Sequence, residues 1–150
     1  MKISPEYLAG VADSDGSFSY IKQKLKSGKD HYRPFFQLTW KKSVESEAVM
    51  QFIKKEYGAQ FYTGTAKPSG LNKNGCEIVK IQLWGNGLIK FTEAISPFLL
   101  LKKEQARITL EGASMKKNWG RGGKSTEVLL KEIELHKQMN ALNTKNRKYG

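Results

Sequence analysis

Two runs of strict alternation constrain this chain more than any other feature of it. In 17–23, Phe18 and Tyr20 fall on one side and Ser17, Ser19, Ile21 and Gln23 on the other. In 33–41, Pro34, Phe36, Leu38 and Trp40 oppose Arg33, Phe35, Gln37, Thr39 and Lys41. A period of two sends successive side chains to opposite faces of a strand, and the basic turn from Lys24 to Asp30 joins the runs into a hairpin. A sheet patterned in this way has one apolar face, which helices must cover, and one face left open.

The remaining segments supply that cover. Ser4 caps a first helix, with Pro5 at its first position and Glu6 well placed for the dipole; it runs through Asp13 and stops near Gly16, a C-terminal cap. Ser43 or Ser46 caps a second helix, in which Val44, Ala48, Val49, Phe52, Ile53 and Tyr57 recur at helical spacing before Gly58. Strands at Gln60 to Thr63 and Glu77 to Trp84 flank a turn rich in Gly, Asn and Pro. The second of these sets Val79, Ile81 and Leu83 against Ile78, Lys80 and Gln82. Leu88 to Ile95 is helical, Ser96-Pro97 interrupts it, and Leu100 to about Lys117 forms another helix containing Leu101, Ala106, Ile108 and Leu110. The breaker cluster 118–124 separates it from a last amphipathic helix, opened by Ser125-Thr126-Glu127 and carrying Leu129, Leu130, Ile133 and Met139. The expected fold is α+β: an αββαββα core at about 4–117 with an antiparallel sheet, a helical extension at about 125–142, and a disordered tail at 143–150. A length of 150 residues fits one such domain.

The charge says what the open face meets. Lys plus Arg number 26 against 14 Asp plus Glu, a formal charge of +12, while 39% apolar residues supply a core, so this is no disordered basic tail. Such a surplus points to a polyanion, nucleic acid first and an anionic membrane surface second. The single cysteine, Cys76, excludes an intrachain disulfide, and with His31 and His136, read as surface residues, it makes no zinc set. A reducing intracellular setting is expected, with cytoplasm, nucleoid and organelle all open. No apolar stretch reaches transmembrane length and no signal-peptide pattern opens the chain, so a soluble protein is expected; no membrane partner is expected either, because the basic residues lie mainly on a sheet and its turns rather than on one amphipathic helix. The open sheet face carries Ser19, Gln23, Arg33, Gln37, Thr39, Lys41, Lys80 and Gln82, bordered by Lys22, Lys24, Lys26 and Lys29 at the hairpin tip, with Lys67 in the later turn. A ribbon of this kind enters a major groove, although any half-covered antiparallel sheet has a polar outer face.

The first helix breaks two local rules. Asp13 and Asp15 lie in its last turn, where the dipole disfavours acidic side chains, and Gly10 sits in its middle at a cost of roughly 1 kcal/mol against Ala. Ala9, Gly10, Ala12 and Asp13 leave little bulk, and Gly10 with Ser14 forms a small-x-x-x-small pair that suits close helix approach. The stretch Leu8-Ala9-Gly10-Val11-Ala12-Asp13-Ser14-Asp15-Gly16 resembles the signature of the LAGLIDADG homing endonucleases, matching it at Leu8, Ala9, Gly10, Asp13, Asp15 and Gly16. The order of elements through about residue 110 is similar to that family's core.

One copy of the motif implies a homodimer, joined through Leu8, Ala9, Gly10, Ala12 and Asp13, with Asp13 hydrogen-bonded to the partner's helix start. The resemblance further implies a site-specific double-strand DNA endonuclease acting at a long pseudopalindrome, leaving cohesive 3′ ends across the minor groove, in the service of intron or intein mobility. It implies Asp15 as catalytic carboxylate and ligand of Mg²⁺ or Mn²⁺, with the Ser14 carbonyl as a further ligand. Pro97-Phe98-Leu99-Leu100-Leu101-Lys102-Lys103-Glu104-Gln105 is similar to the segment carrying the family's active-site lysine, which makes Lys102 the second catalytic residue. The family often has a polar residue on the second strand to position water; Trp40 stands there, with Gln37 or Lys41 as substitutes. A non-cleaving binder on the same fold, an intron RNA maturase or DNA-binding regulator, is the alternative. Gly122-Gly123-Lys124-Ser125 resembles the end of a phosphate-binding loop but lacks its earlier glycine and strand; Arg121 and Lys124 are retained as phosphate contacts.

Overall fold

The computed structural model describes residues 2–68, 75–116 and 125–149. Helix α1 (Pro5–Ser14) starts as its sequence dictates, with the Tyr7 N–H donating to Ser4 Oγ at 3.2 Å. Its end differs from expectation. Asp15, still near helical dihedrals, is the C-cap, and Gly16 opens the first strand without a positive φ. Glycine is needed there for space: a Cβ would lie 2.5 Å from the Phe36 ring and 2.9 Å from Ala12 Cα.

Strands β1 (Gly16–Lys24) and β2 (Asp30–Lys41) pair antiparallel, Phe18 opposite Phe36. Both serines proposed for the next cap act together: in front of α2 (Val44–Tyr57), Ser43 Oγ accepts from the Ser46 N–H and Ser46 Oγ from the Ser43 N–H, a reciprocal capping box. Gly58, at φ 74°, ends that helix in the left-handed region. Met50 takes a core position on α2, and Val44 is exposed. β3 (Gln60–Ala66) runs three residues beyond its expected end and pairs with β4 (Cys76–Leu83), which adds to β2 with Leu83 opposite Phe36. The sheet order is β1-β2-β4-β3.

Helix α3 (Gly85–Ile95), a 3-10 turn (Ser96–Phe98), α4 (Lys103–Lys116) and α5 (Thr126–Tyr149) complete the α+β fold. Two expectations fail here. Leu100 and Leu101 are not helical; after extended Leu99 they stand 81% and 75% exposed, and Leu99 is the buried one. α5 continues through 143–149, past the expected end near 142, where Asn143 Nδ2 donates to the Phe18 carbonyl at 3.0 Å. On α5, Leu135 and Met139 are buried while Leu130 is exposed.

The core lies between the sheet's inner face and the helices. Phe36 meets Phe18 and Phe91, each at 4.9 Å between ring centroids, and Leu38, Val79, Ile81 and Leu83 pack beside Ile53, Leu88 and Ile95. Each such side chain contributes about 1.5–3 kcal/mol on burial. His136 of α5 packs against Tyr32 and Tyr20 at 5.1 and 6.3 Å, so it is an interface residue rather than a surface one. Among the described residues no helix is long and apolar enough to cross a membrane.

Candidate active site and sheet face

The two aspartates of α1 do different work. Asp13 turns inward along its own chain: Oδ2 accepts from the Leu100 N–H at 2.8 Å, and Oδ1 from the Leu101 and Lys102 N–H groups at 3.1 and 3.0 Å. These donors precede α4, and a carboxylate accepting three of them is a strong local brace. The hydrogen bonds that the structure gives Asp13 thus run within its own chain.

Braced in this way, Lys102 sends its ammonium back to the end of α1. Nζ donates to the Ala12 carbonyl at 3.0 Å and to the Gly16 carbonyl, where the helix terminus favours a cation. Burial pushes the Lys102 ammonium below lysine's ordinary value, while Asp13 and Asp15 pull it upward. Asp15 itself is exposed at the C-cap, and Trp40 Nε1 donates to its Oδ2 at 2.9 Å. Trp40 thus occupies the second-strand position beside the carboxylate. Gln37 and Lys41 project from the opposite face of β2, and Gln37 Oε1 already accepts from Gln82 at 2.8 Å, so neither substitutes for it.

Among the described residues no group of three His, Cys, Asp or Glu side chains forms a metal cage. Asp15 with Ser14, the last residue of α1, offers a small all-oxygen donor set. That chemistry fits Mg²⁺ or Mn²⁺, which keep waters and take oxygen from one or two carboxylates plus substrate phosphates. Ser14 Oγ donates to the Gly10 and Val11 carbonyls at 3.0 and 3.2 Å, which leaves its backbone carbonyl as the expected ligand group.

The expected interface set divides. Leu8, Ala9 and Ala12 are at most 1% exposed, packed in this chain's own core, because the small side chains let α1 settle onto it. Gly10 is exposed, and a Cβ there would meet nothing within 4 Å. Tyr7, Gly10 and Ser14 make the outward stripe of α1.

On the sheet, Ser19, Gln23, Arg33, Gln37, Thr39, Lys41, Lys80 and Gln82 share the outer face, as the register requires. Lys26 and Lys29 lie in the β1–β2 turn, and Lys67 is exposed after β3. Lys22 and Lys24 depart from expectation: they follow Phe18 and Tyr20 in the two-residue period and so point to the helix side. Lys22 there faces Asp30 at 3.6 Å and the Tyr32 ring at 6.0 Å. The outer face also holds an aromatic group that the sequence reading missed. Phe35 and Trp84 stack at 4.7 Å with 18° between planes, the Arg33 guanidinium lies 4.5 Å over Trp84, and Lys80 lies 5.2 Å over Tyr62. Continuing the alternation of Val79, Ile81 and Leu83 by one residue was the available signal for Trp84. Arg121 and Lys124 fall outside the described residues.

No protein-family model matches the chain. A curated relative, "Probable intron-encoded endonuclease Cox1-I1b" of Schizosaccharomyces pombe, is 38% identical over 53 residues, which is 35% of this chain and 13% of that protein's length. Among solved structures, the homing endonuclease I-CvuI, in complex with the I-CreI target in the presence of Mg, superposes with a TM-score of 0.68 at 20% identity, covering 92% of this chain and 80% of that one. The archaeal intron-encoded homing endonuclease I-Vdi141I, complexed with DNA, gives 0.68 at 19% identity, over 92% and 82%.

Proposed function

We propose that this chain, which has the LAGLIDADG homing-endonuclease fold, is a site-specific double-strand DNA endonuclease working as a homodimer with Mg²⁺ or Mn²⁺. The observation that carries the reading is the cluster at the end of α1: exposed Asp15, with Lys102 drawn beside it, at one end of a basic sheet whose outer face is open. Asp15 and the Ser14 carbonyl would hold the cation, which supplies charge stabilisation and activates water for in-line attack. Lys102 places a positive charge near the scissile phosphate and orders solvent there. Asp13 fixes the backbone from which Lys102 reaches.

One chain provides a single carboxylate, so two copies are needed to cut two strands. The open stripe of Tyr7, Gly10 and Ser14 is the surface on which a second α1 fits, closer than a larger residue at position 10 would permit. A twofold pair presents two sheets to a pseudopalindromic site. Arg33, Gln37, Thr39, Lys80 and Gln82 then face base edges, while Lys26, Lys29, Lys41 and Lys67 lie nearer the phosphates.

Cleavage of a randomised DNA library with Mg²⁺ or EDTA, wild type against Asp15→Asn, tests this directly. Metal-dependent cuts at one long pseudopalindrome, lost in the variant while binding remains, are expected. Binding by a folded dimer without cuts would instead support the maturase or regulator reading.

A further inference from the structure

We infer that Trp40 is the positioning residue of the Asp15 carboxylate: its indole N–H holds Oδ2 and turns Oδ1 outward as the atom offered to the cation. The inference rests on the cation site of the proposed function and deepens it.

Asp15 is a C-cap residue on the exposed end of a helix, so the helix itself gives its side chain little support and an unfavourable dipole. Trp40 has what Asp15 lacks. It is half-buried, packs against the core from the helix side of β2, and carries a rigid ring with one hydrogen-bond donor. A bond of 2.9 Å from that donor to an ionised acceptor is stronger than a neutral pair. An amide at this position would either donate or accept, and would swing about its torsions; an indole only donates. Trp40 therefore cannot accept a hydrogen bond from a water, and its effect on chemistry has to pass through Asp15. Outer groups of this kind typically change metal affinity or activity by about 10–100-fold when removed.

The test compares Trp40→Phe, which keeps a ring and removes the donor, with Trp40→Gln, which restores a donor, in the protein–DNA complex. Free Mn²⁺ is measured by electron paramagnetic resonance, and cleavage is measured under single-turnover conditions. Trp40→Phe is expected to weaken Mn²⁺ binding by about tenfold or more and to slow cleavage, with DNA affinity unchanged, and Trp40→Gln to recover part of both. Leu130→Ala, an exposed residue of α5 away from the sheet face, should leave Mn²⁺ binding at the wild-type value. In the ¹⁵N-labelled wild-type fold, the Trp40 indole N–H resonance should shift in Asp15→Asn and report the bond without disturbing the ring. Wild-type Mn²⁺ affinity in a folded Trp40→Phe, with affinity lost in Asp15→Asn, overturns the inference and spares the site. Equal Mn²⁺ binding in wild type and Asp15→Asn removes the site, and the inference with it.

Discussion

Asp13 and Asp15 stand two residues apart in a motif that treats them alike, and the structure gives them opposite directions. A pair so spaced on a helix points to different sides, which separates Asp13 from catalysis in the sequence alone. What the sequence did not contain was the acceptor's target. The three N–H groups at 100–102 are nearly ninety positions away, and only the fold shows that Asp13 reaches them within one chain. Asp13→Ala strips a half-buried carboxylate from three donors, so we expect a loss of about 2 kcal/mol in urea unfolding. Slower cleavage should accompany it, because Lys102 loses its fixed starting point; a fully stable variant would show that the brace is dispensable. Lys102 was singled out by its neighbours in the chain, but its reach to the Ala12 carbonyl needed the fold; Trp40 stood out only as a departure, its bond to Asp15 depending on how β2 ends beside α1.

Among the elements, strands were easier to read than helix contacts, for a physical reason. A period of two assigns every side chain to a face, so Arg33, Gln37, Lys80 and Gln82 came out correctly, and only the basic residues Lys22 and Lys24 were misplaced, by treating strand as turn. A helix stripe of small residues is ambiguous, since it suits its own core as well as a neighbour: Ala9 and Ala12 went to the former, Gly10 to the open side. Gly10→Glu therefore adds a charged side chain without a clash inside the monomer. Sedimentation should show a folded monomer with the wild-type melting temperature of its chain, and an intact dimer would overturn the pairing through α1. α5 carries a second prediction through His136. Burial against Tyr20 and Tyr32, and then Lys22, lower its proton affinity below the unfolded value. The neutral ring's contribution is present above the unfolded pKa, about 6.5, and is lost as pH falls through the lower folded value. Thermal melts should lose stability below about pH 6.5, and His136→Phe should flatten that loss.

For the molecule as a whole, charge and shape make separable demands. Each chain carries +12, so a twofold pair of the proposed kind would bring twice that to DNA, and the phosphate term of such binding follows released counterions, with log K falling at about 0.9 per contact against log salt. On the proposed reading Lys26 and Lys29, exposed on the β1–β2 turn, serve that term. On the same reading Arg33 serves another: its guanidinium lies over Trp84, which stacks on Phe35, an arrangement that suits reading a base edge with two donors. The two kinds of residue should fail differently. Lys26→Gln with Lys29→Gln should weaken every sequence alike and reduce the salt slope by about 2 per protomer, or about 4 per dimer. Trp84→Ala should leave the slope unchanged and relax the preference at one base pair in each half-site, by about 1–3 kcal/mol. Binding titrations over a salt series, run on the recovered site and on its single-base variants, distinguish them. A Trp84→Ala protein that lost slope but kept its preference would place Arg33 on a phosphate and leave the aromatic stack as packing alone.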